Sequence, residues 1–231
     1  MATLSEWEDE ISLRDLKAGG WDTQVWWVTS DHGAYGNDNS GPLKGWKHNH
    51  NIFLPYVKGR KTVVQAGGNC GMYPLFLSKL FEQVYTFEPH PRNFECLRRN
   101  IELADNITAQ NVALGQEAGT GTVFGGSNRN VGTYKVDSSG NREGSPTEII
   151  TIDSLNLESC DLIYLDLEGF EPFAITGAIE TINKFKPVVI VERNSGSKDL
   201  EKLGYKEASE RLIDDNLWIH ESQLPKEKEY K

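Results

Sequence analysis

The sequence lacks the segments that direct a chain into or through a membrane. No apolar run approaches the roughly 20 residues that a membrane-spanning helix needs. The first residues, Met1 to Asp9, are acidic and lack the basic start and apolar stretch of a secretory signal peptide. The chain has only three cysteines, Cys70, Cys96 and Cys160, without paired spacing, so we expect reduced core thiols. These absences predict a cytoplasmic protein with no membrane association.

Positive charge is also scarce. The chain has 24 lysines and arginines against 34 acidic residues, which gives a formal net charge of -10. A protein that binds a polyanion needs a basic surface to displace counterions, so we expect no nucleic-acid partner. A small neutral or cationic molecule is the expected partner. The 231 residues, 38% of them hydrophobic, suffice for one globular domain with a substantial core.

From Lys61 onward, short apolar runs alternate with segments typical of helices. The runs Leu162–Leu165 and Val188–Val191 are continuously apolar, as in parallel strands that are buried on both faces. We predict strands at 62–65, 83–87, 107–114, 159–167, 187–192, 205–213 and 217–220, and helices at 72–80, 91–103, 171–185 and 200–203. This order predicts an α/β fold with a Rossmann-like, doubly wound, mostly parallel sheet and antiparallel C-terminal strands. Ligands bind such sheets beyond the carboxyl ends of the strands.

Residues 1–60 form a predicted N-terminal extension that packs on a catalytic core at 61–231. The extension is expected to contain a helix at Ser5–Leu16, a strand at Trp21–Thr29 and a loop rich in glycine and asparagine at Asp31–Gly45. The core is expected to carry a hairpin insertion near 120–136.

The tryptophans and histidines of the extension are expected to have mainly structural roles. Of the tryptophans Trp21, Trp26, Trp27 and Trp46, most are expected in the core, with one or two at the substrate entrance. His48 and His50 would share one face of a strand, and we interpret them as a surface pair because two histidines are too few for a metal site.

Two local patterns in the core point to a nucleoside-containing cofactor. Gly67–Gly71 follows a strand and precedes a helix, where glycine permits close approach of a ligand to the backbone. Its spacing differs from Gly-x-Gly-x-x-Gly and suits the amino-acid part of a cofactor better than a pyrophosphate. Glu88 ends the next strand, where a carboxylate accepts hydrogen bonds from a ribose diol. A plain glycine turn and a solvated strand-end charge are the structural alternatives.

Taken together, these residues resemble the FkbM family, a branch of the class I S-adenosylmethionine-dependent methyltransferases. The matching segments are Val63–Gly71, Val84–Pro91, Asn111–Gly115, Thr151–Leu155 and Asp161–Glu171, followed by Gly177-Ala178. The resemblance implies S-adenosylmethionine as the cofactor, bound by Gln65, Ala66, Gly67, Gly68, Asn69, Gly71, Glu88, Pro89, Asn111, Val112, Ala113 and Asp166. It implies that the glycine loop lies at the methionine end, that Glu88 holds the ribose, and that residues around Asn111 flank the adenine.

Two positions depart from the family pattern. Gln65 stands where the family usually has an acidic residue that helps to hold the methionine ammonium. Glutamine can accept a hydrogen bond but carries no charge, so a lower cofactor affinity is expected. Tyr164 stands where the family commonly has lysine.

The reaction implied by the resemblance is methylation of a hydroxyl on a saccharide or another small metabolite. The acceptor must lose a proton, and the candidate catalytic residues are Asp166, Glu168 and Glu192, with His90 as a further candidate base. Asp166 is favoured and Glu168 is second. A purely structural role for Glu168 and Glu171, at the start of the following helix, is the alternative.

Asp166 and Glu192 also suggest a metal site. They end neighbouring predicted strands, which lie about 4.8 Å apart, and Asn194 follows closely. These three oxygen donors could bind Mg²⁺ or Ca²⁺, which would hold a substrate diol and lower its pKa.

Three other functions remain open from the sequence. An N-methyltransferase acting on a small amine would share the cofactor site, and a non-catalytic protein that retains the fold would explain Gln65. A dehydrogenase is disfavoured by the absence of Gly-x-Gly-x-x-Gly. A homodimer is compatible with this fold, but no segment of the sequence specifies one.

Overall fold

The N-terminal elements form a hairpin and a helix. The computed structural model describes residues 6–18, 21–31, 46–127, 130–193 and 195–224. Strand β1 (Ile11–Ala18) pairs with β2 (Trp21–Val28) in antiparallel register, and helix α1 (Trp46–Phe53) follows. Most of the predicted loop at Asp31–Gly45 lies outside the described residues.

The predicted helix at Ser5–Leu16 is wrong. The register from Ile11↔Val28 to Ala18↔Trp21 pairs this segment with the aromatic, β-branched strand β2. Only Gly19 and Gly20 separate the two strands in the sequence, so the glycines expected to stop a helix instead link paired strands. Strand pairing therefore overrides the helical spacing of Trp7, Ile11 and Leu16. His48 and His50, expected on a strand, lie on α1, and His48 Nε2 is 3.3 Å from the carbonyl oxygen of Arg211.

The core follows in chain order as β3 (Thr62–Ala66), α2 (Met72–Leu77), β4 (Gln83–Phe87), α3 (Pro91–Asn100), β5 (Ile107–Gln110), β6 (Ala113–Leu114), β7 (Gly119–Ser127), β8 (Asn130–Asp137), β9 (Ser145–Ile150), β10 (Leu162–Leu165), α4 (Glu171–Thr176), α5 (Ile179–Phe185), β11 (Val188–Glu192), α6 (Ser197–Lys202), β12 (Tyr205–Glu207) and β13 (Asp215–His220). Among the described residues, none of these helices is both long and apolar enough to cross a membrane.

The central sheet confirms the predicted fold class. Its strand order is β12-β13-β11-β10-β3-β4-β5, and β11, β10, β3, β4 and β5 run parallel. Strand β13 lies antiparallel between β11 and β12, as predicted for the C-terminal strands. The sheet is buried on both faces, with Val63 and Ile190 in one hydrophobic cluster and Val64 and Val191 in the other. Cys70, Cys96 and Cys160 are free and buried, as expected.

A second sheet covers one end of the central sheet. The predicted hairpin is present as β7 and β8, which join β9 and β6 in the order β6-β9-β7-β8. Strand β9 was not predicted, and the single strand expected at 107–114 is divided between the two sheets as β5 and β6. Both differences arise because the second sheet recruits short segments from separate parts of the chain.

Other boundaries are shorter than predicted. The helix expected at 171–185 breaks at Gly177-Ala178 into α4 and α5. A Cβ at Gly177 would lie 2.0 Å from the carbonyl oxygen of Gly115, and Asp153 accepts hydrogen bonds from the N–H groups of Glu180 and Thr181. The close approach of Gly177 to Gly115, together with the hydrogen bonds from the start of α5 to Asp153, explains the break. The strand expected at 205–213 ends at Glu207.

Candidate active site

The glycine loop takes a conformation that few other residues could adopt. Gly67 and Gly71 have φ angles of 80° and 92°, and Asn69 has a φ of 46°. A Cβ at Gly67 would lie 1.9 Å from the carbonyl oxygen of Asp166, at the end of β10. The loop therefore passes directly over the neighbouring strand end, and its backbone faces a cavity there.

Gln65 supports this loop from within the core. Its side chain is buried, its Nε2 donates to the carbonyl oxygens of Ala66 and Gly67, both at 3.1 Å, and its Oε1 accepts from Thr86 Oγ1 at 2.6 Å. Gln65 is not among the residues that line the cavity. Its polar atoms are instead used to fix the backbone at the start of the loop.

Glu88 lies at the end of β4, beside the loop. Its Oε2 accepts from the backbone N–H of Asn69 at 2.7 Å, and its Oε1 accepts from the backbone N–H of His90 at 2.8 Å. Burial raises the pKa of Glu88 to about 7, and the two backbone donors only partly oppose this. Each carboxylate oxygen can accept more than one hydrogen bond, so Glu88 retains capacity for a ribose diol.

A cavity of about 610 Å³ opens at the carboxyl ends of β3, β10 and β11, and we call it the main cavity. Its lining comes from three parts of the chain: Trp27 and Asn49 from the N-terminal elements, the core residues Gly67, Gly68, Asn69, Cys70, Met72, Tyr73, Asp166, Glu168, Glu192, Arg193, Ile213, Asp214 and Asp215, and Asn130, Gly132 and Thr133 from β8. Its size is that of a small-molecule site. Among the tryptophans of the extension whose side chains are described, Trp27 lines the main cavity.

Three neighbouring strands each place a carboxylate on this cavity. Leu165 pairs with Val191, so Asp166 continues the register opposite Glu192, and Glu192 pairs with Asp215. We call Asp166, Glu192 and Asp215 the carboxylate row. All three belong to the sheet face that also carries Tyr164, Ile190 and Leu217, because alternate residues of a strand share a face.

The carboxylate row is electrostatically strained. Desolvation, followed by the negative charges of Glu192 and Asp215, raises the pKa of Asp166 well above its usual value. Burial and the charge of Glu168 raise the pKa of Glu192, and burial raises the pKa of Asp215 to about 7. A row of this kind favours a proton or another cation, since like charges in a partly desolvated site disfavour ionisation.

The loop after β10 carries two glutamates with different roles: Glu171 fixes the loop, and Glu168 lines the main cavity. Glu171 is fully buried, and its carboxylate accepts from the N–H groups of Leu167 at 2.7 Å and Gly169 at 3.1 Å, so it fixes the loop. Glu168 has a φ of 52° and lines the main cavity. Carboxylate oxygens of Asp166, Glu168 and Glu192 lie within 4.8 Å of one another. Asn194, the third predicted metal ligand, lies outside the described residues.

A smaller cavity of about 70 Å³ adjoins Glu88, and we call it the inner cavity. It is lined by Gly67, Asn69, Glu88, Pro89, Asn93, Val131, Gly132, Tyr134, Asp166 and Leu167. Two buried side-chain oxygens here, Asn69 Oδ1 and Asn93 Oδ1, have no hydrogen-bond donor among the described residues. Such orphaned acceptors are rare in folded proteins and fit a site that binds hydroxyl or amino donors.

Residues of β8 close the inner cavity from outside. Tyr134 stacks on His90 with 3.8 Å between ring centroids, and its hydroxyl accepts from Arg92 at 3.0 Å. Asn93 Nδ2 donates to the carbonyl oxygen of Val131 at 2.8 Å. Burial lowers the pKa of His90 to about 4, so this ring is neutral. His90 does not line the main cavity, unlike the three carboxylates predicted with it.

The structure brings together half of the predicted cofactor residues. Gly67, Gly68, Asn69, Glu88, Pro89 and Asp166 line one or both cavities. The others, Gln65, Ala66, Gly71, Asn111, Val112 and Ala113, lie behind or beside them. Asn111 is exposed, and its Nδ2 donates to the carbonyl oxygens of Glu88 at 2.8 Å and Pro89 at 3.2 Å.

Sequence reasoning missed the contribution of β13 and α1 to the site. Asp214 and Asp215 line the main cavity, although the sequence suggests only a turn between two strands. Asn49 also lines it, and its Oδ1 accepts from the N–H of Ile213 at 2.8 Å. The one available signal was the predicted antiparallel direction of the last strand, which places its first residues at the ligand-binding edge.

Comparison with known proteins identifies the family. A family model described as a methyltransferase FkbM domain matches residues 72–213, which is more than half of the chain. The chain belongs to the FkbM methyltransferase family. The matched range begins directly after the glycine loop and includes Glu88, Asp166 and Glu192. It ends just before Asp214.

Two relatives of this FkbM chain show how far the similarity extends. "Methyltransferase 1" of Beauveria bassiana (strain ARSEF 2860) is 37% identical over 59 residues, which cover 24% of each protein. The crystal structure of methyltransferase FkbM from Methylobacillus flagellatus KT matches with a TM-score of 0.52 and 18% identity, over 75% of this chain and 50% of that one. The chain thus spans half or less of the length of these relatives, and the structural match concerns the fold.

Proposed function

We propose that this FkbM-family chain transfers a methyl group from S-adenosylmethionine to a hydroxyl of a small molecule, of the saccharide type. One observation carries the proposal: the glycine loop and the carboxylate row open onto the same main cavity, and Glu88 adjoins it through the inner cavity. A cytoplasmic location and the absence of nucleic-acid partners remain parts of the same proposal.

The residues around the two cavities fit the cofactor. The glycine loop offers a close-approaching backbone for the methionine end, and Glu88 can hold the ribose. Asn69 Oδ1 and Asn93 Oδ1 are free acceptors for hydroxyl or amino groups. When bound, S-adenosylmethionine supplies a methyl group on positively charged sulfur. The negative carboxylate row complements that charge.

Asp166 is the proposed general base. It lies at the carboxyl end of β10 and lines both cavities. Its raised pKa makes the carboxylate a better proton acceptor near neutral pH. The surrounding side chains orient the acceptor, and correct orientation can contribute up to about 7–11 kcal/mol to a displacement of this kind. Glu168 and Glu192 are the alternative bases on the same cavity.

A small amine is a second candidate acceptor, favoured by the acidic lining of the main cavity. Methylation of an amine needs the same cofactor site and the same alignment. The two reactions give different products. Mass spectrometry distinguishes them, since it locates the new methyl group on oxygen or on nitrogen.

A Mg²⁺ ion at Asp166, Glu168 and Glu192 is a further hypothesis. Their oxygen atoms lie close enough to converge on one cation. The rate of methyl transfer by chelator-treated protein, with and without added MgCl₂, tests it. An unchanged rate would exclude a catalytic metal ion.

The proposed function is tested first by calorimetric titration with S-adenosylmethionine and S-adenosylhomocysteine. Micromolar binding is expected, with Glu88→Ala weakening it by about 100-fold if a charge-assisted hydrogen-bond pair is lost. Glu82→Ala, on the exposed turn before β4, is the matched control and should bind normally. Absence of binding to the wild-type protein would refute the proposed function.

Turnover separates an enzyme from a protein that only binds the cofactor. With a panel of hydroxyl-bearing acceptors and saturating S-adenosylmethionine, release of S-adenosylhomocysteine should fall by about 100-fold or more in Asp166→Asn. Normal turnover in this variant would remove Asp166 from the mechanism. Cofactor binding with no turnover on any acceptor would favour the non-catalytic alternative.

A further inference from the structure

The charges that line the main cavity do not balance. Its described lining includes the acidic residues Asp166, Glu168, Glu192, Asp214 and Asp215, whereas Arg193 is the one basic side chain among them. Arg193 Nε lies 3.0 Å from Glu192 Oε1, but the arginine side chain is 72% exposed. Its charge is therefore largely screened by solvent. The cavity keeps an excess of negative charge.

Among the described residues, the hydrogen-bond partners of the Asp215 side chain are all neutral. Its Oδ2 accepts from the hydroxyl of Tyr164 at 2.6 Å and from Asn49 Nδ2 at 3.4 Å. Among the described residues, no donor lies within hydrogen-bonding distance of its Oδ1. The residue is 9% exposed and lines the main cavity. One oxygen is thus fixed by the protein, and the other remains available to a ligand.

This arrangement is unfavourable for a carboxylate with only a structural role. A buried charge costs free energy unless it is paired, and no cation of the described chain contacts Asp215. An asparagine would keep the hydrogen bond from Tyr164 without this cost. A charged residue here is best explained by a cation that arrives from outside.

We propose that Asp215 determines acceptor specificity by binding a protonated amino group of the methyl acceptor. The inference rests on the proposed function and narrows the acceptor to small hydroxyl compounds that carry an amine, such as amino sugars. An ammonium group has three donors, so it can contact Asp215 and Glu192, which are paired across β13 and β11. The hydroxyl to be methylated then faces Asp166 on the next strand.

The test measures acceptor binding to protein saturated with S-adenosylhomocysteine, in the presence of a chelator. The probes are glucosamine, galactosamine and mannosamine, each compared with its N-acetyl derivative, which has the same ring but no charge. We expect every amino sugar that binds detectably to bind at least about 10-fold more tightly than its N-acetyl derivative. A difference of this size is typical of a charge-assisted hydrogen bond. Tighter binding of the N-acetyl forms would overturn the proposal. So would no binding of any amino sugar at millimolar concentration.

Two variants assign the preference to Asp215. Asp215→Asn should reduce the preference for the charged form by about 10-fold or more, with the affinity for S-adenosylhomocysteine, which carries no sulfonium charge, unchanged. Asp214→Asn removes the same charge from the adjacent residue and should retain the preference. Equal losses in both variants would show a general field effect and refute the specific role. If Asp215→Asn fails to fold, the wild-type comparison still decides the charge preference.

Two outcomes separate this inference from the proposed function. Failure of the wild-type protein to bind S-adenosylhomocysteine would refute the proposed function before acceptors are examined. A product methylated on nitrogen would show that the amine is the nucleophile, which contradicts an anchoring role for Asp215.

Discussion

At the scale of single residues, Glu88 combines burial with a proposed role, binding of the ribose, that needs its charge. Its carboxylate is 5% exposed and is held by two backbone N–H groups. A ribose diol donates to the ionised form, whereas burial favours the neutral form. The balance between these two effects is set by the pKa of about 7.

This balance predicts a pH-dependent cofactor affinity. Below the raised pKa Glu88 is protonated, so S-adenosylhomocysteine should bind about 10-fold more weakly at pH 6 than at pH 8. The affinity should level off above the pKa of about 7. Titration calorimetry across this range checks it, with Glu88→Gln as the control, which should bind weakly at every pH. A wild-type curve as flat as that of the variant would contradict the prediction.

Stability should change with pH in the opposite direction at the same residue. The folded-state pKa of Glu88 is raised from 4.5 to about 7, so folding favours its protonated form. The stability that this group contributes is complete below pH 4.5 and is lost as the pH rises toward 7. The cofactor-free protein therefore loses this contribution of Glu88 to its stability in the pH range in which the cofactor is expected to bind best.

Local spacing accounts for the site residues that the sequence could predict. Gly67–Gly71 and Glu88 follow strands whose apolar runs are evident, and the sheet edge where they meet follows from the parallel order. Asp215 escaped prediction because its position depends on pairing between β11 and β13. That register is a non-local property, and no pattern near Asp215 encodes it.

At the scale of elements, the hairpin of β7 and β8 acts as a cover for the inner cavity. The space beside Glu88 is about 70 Å³, room for about two water molecules. The nucleoside half of the proposed cofactor is far larger, so we expect β8 to move outward when the ribose binds at Glu88. The stack of Tyr134 on His90 holds it closed together with the hydrogen bonds from Asn93 to Val131 and from Arg92 to Tyr134.

Loosening this cover should speed cofactor exchange. Tyr134→Ala removes a stacked pair worth about 0.5–1.5 kcal/mol, so we expect the dissociation rate of S-adenosylhomocysteine to rise by about 2- to 10-fold. Stopped-flow displacement measures this rate. Tyr134→Phe keeps the ring and loses only the hydroxyl that accepts from Arg92, and it should resemble the wild-type protein more closely. Equal rates in Tyr134→Ala and the wild-type protein would show that β8 does not control exchange.

Helices and strands were predictable where the local sequence of a segment determines its secondary structure. Strands β4 and β11 lie within one residue of their predicted bounds, and helix α3 begins at the predicted Pro91 and ends three residues earlier than predicted. The segment at Ser5–Leu16 was misassigned because its strand depends on the partner β2. The helix expected at 171–185 failed for a similar reason, since the break at Gly177 arises from the close approach of Gly115.

At the scale of the whole molecule, segments distant in sequence assemble the acceptor side of the site. Asn49 on α1 binds Ile213 through both backbone groups and reaches Asp215 at 3.4 Å. The N-terminal hairpin is joined to the core by Asn100, which bonds both backbone groups of Trp26 and the carbonyl oxygen of Cys70. The extension thus contributes to the main cavity, beyond the range matched by the family model.

Removal of the Asn49 side chain should therefore affect both stability and the acceptor site. Asn49→Ala leaves the N–H of Ile213 without its partner, and a loss of about 1–3 kcal/mol in the free energy of unfolding is expected. Urea denaturation measures this loss. Asn51→Ala, at an exposed position on the same helix, is the matched control and should change stability by less than about 0.5 kcal/mol. Equal stability of both variants would show that Asn49 does not anchor the loop.

The late position of β13 has a consequence for synthesis of the protein on the ribosome. The glycine loop, Glu88 and Asp166 are translated well before Asp215, and β13 lies in the sheet between β11 and β12, both of which precede it in the sequence. A nascent chain that has emerged only through β11 already holds the residues expected to bind the cofactor, yet half of the acceptor wall is missing. The residues expected to bind the cofactor are thus translated before those expected to bind the acceptor, and β13 completes the proposed site.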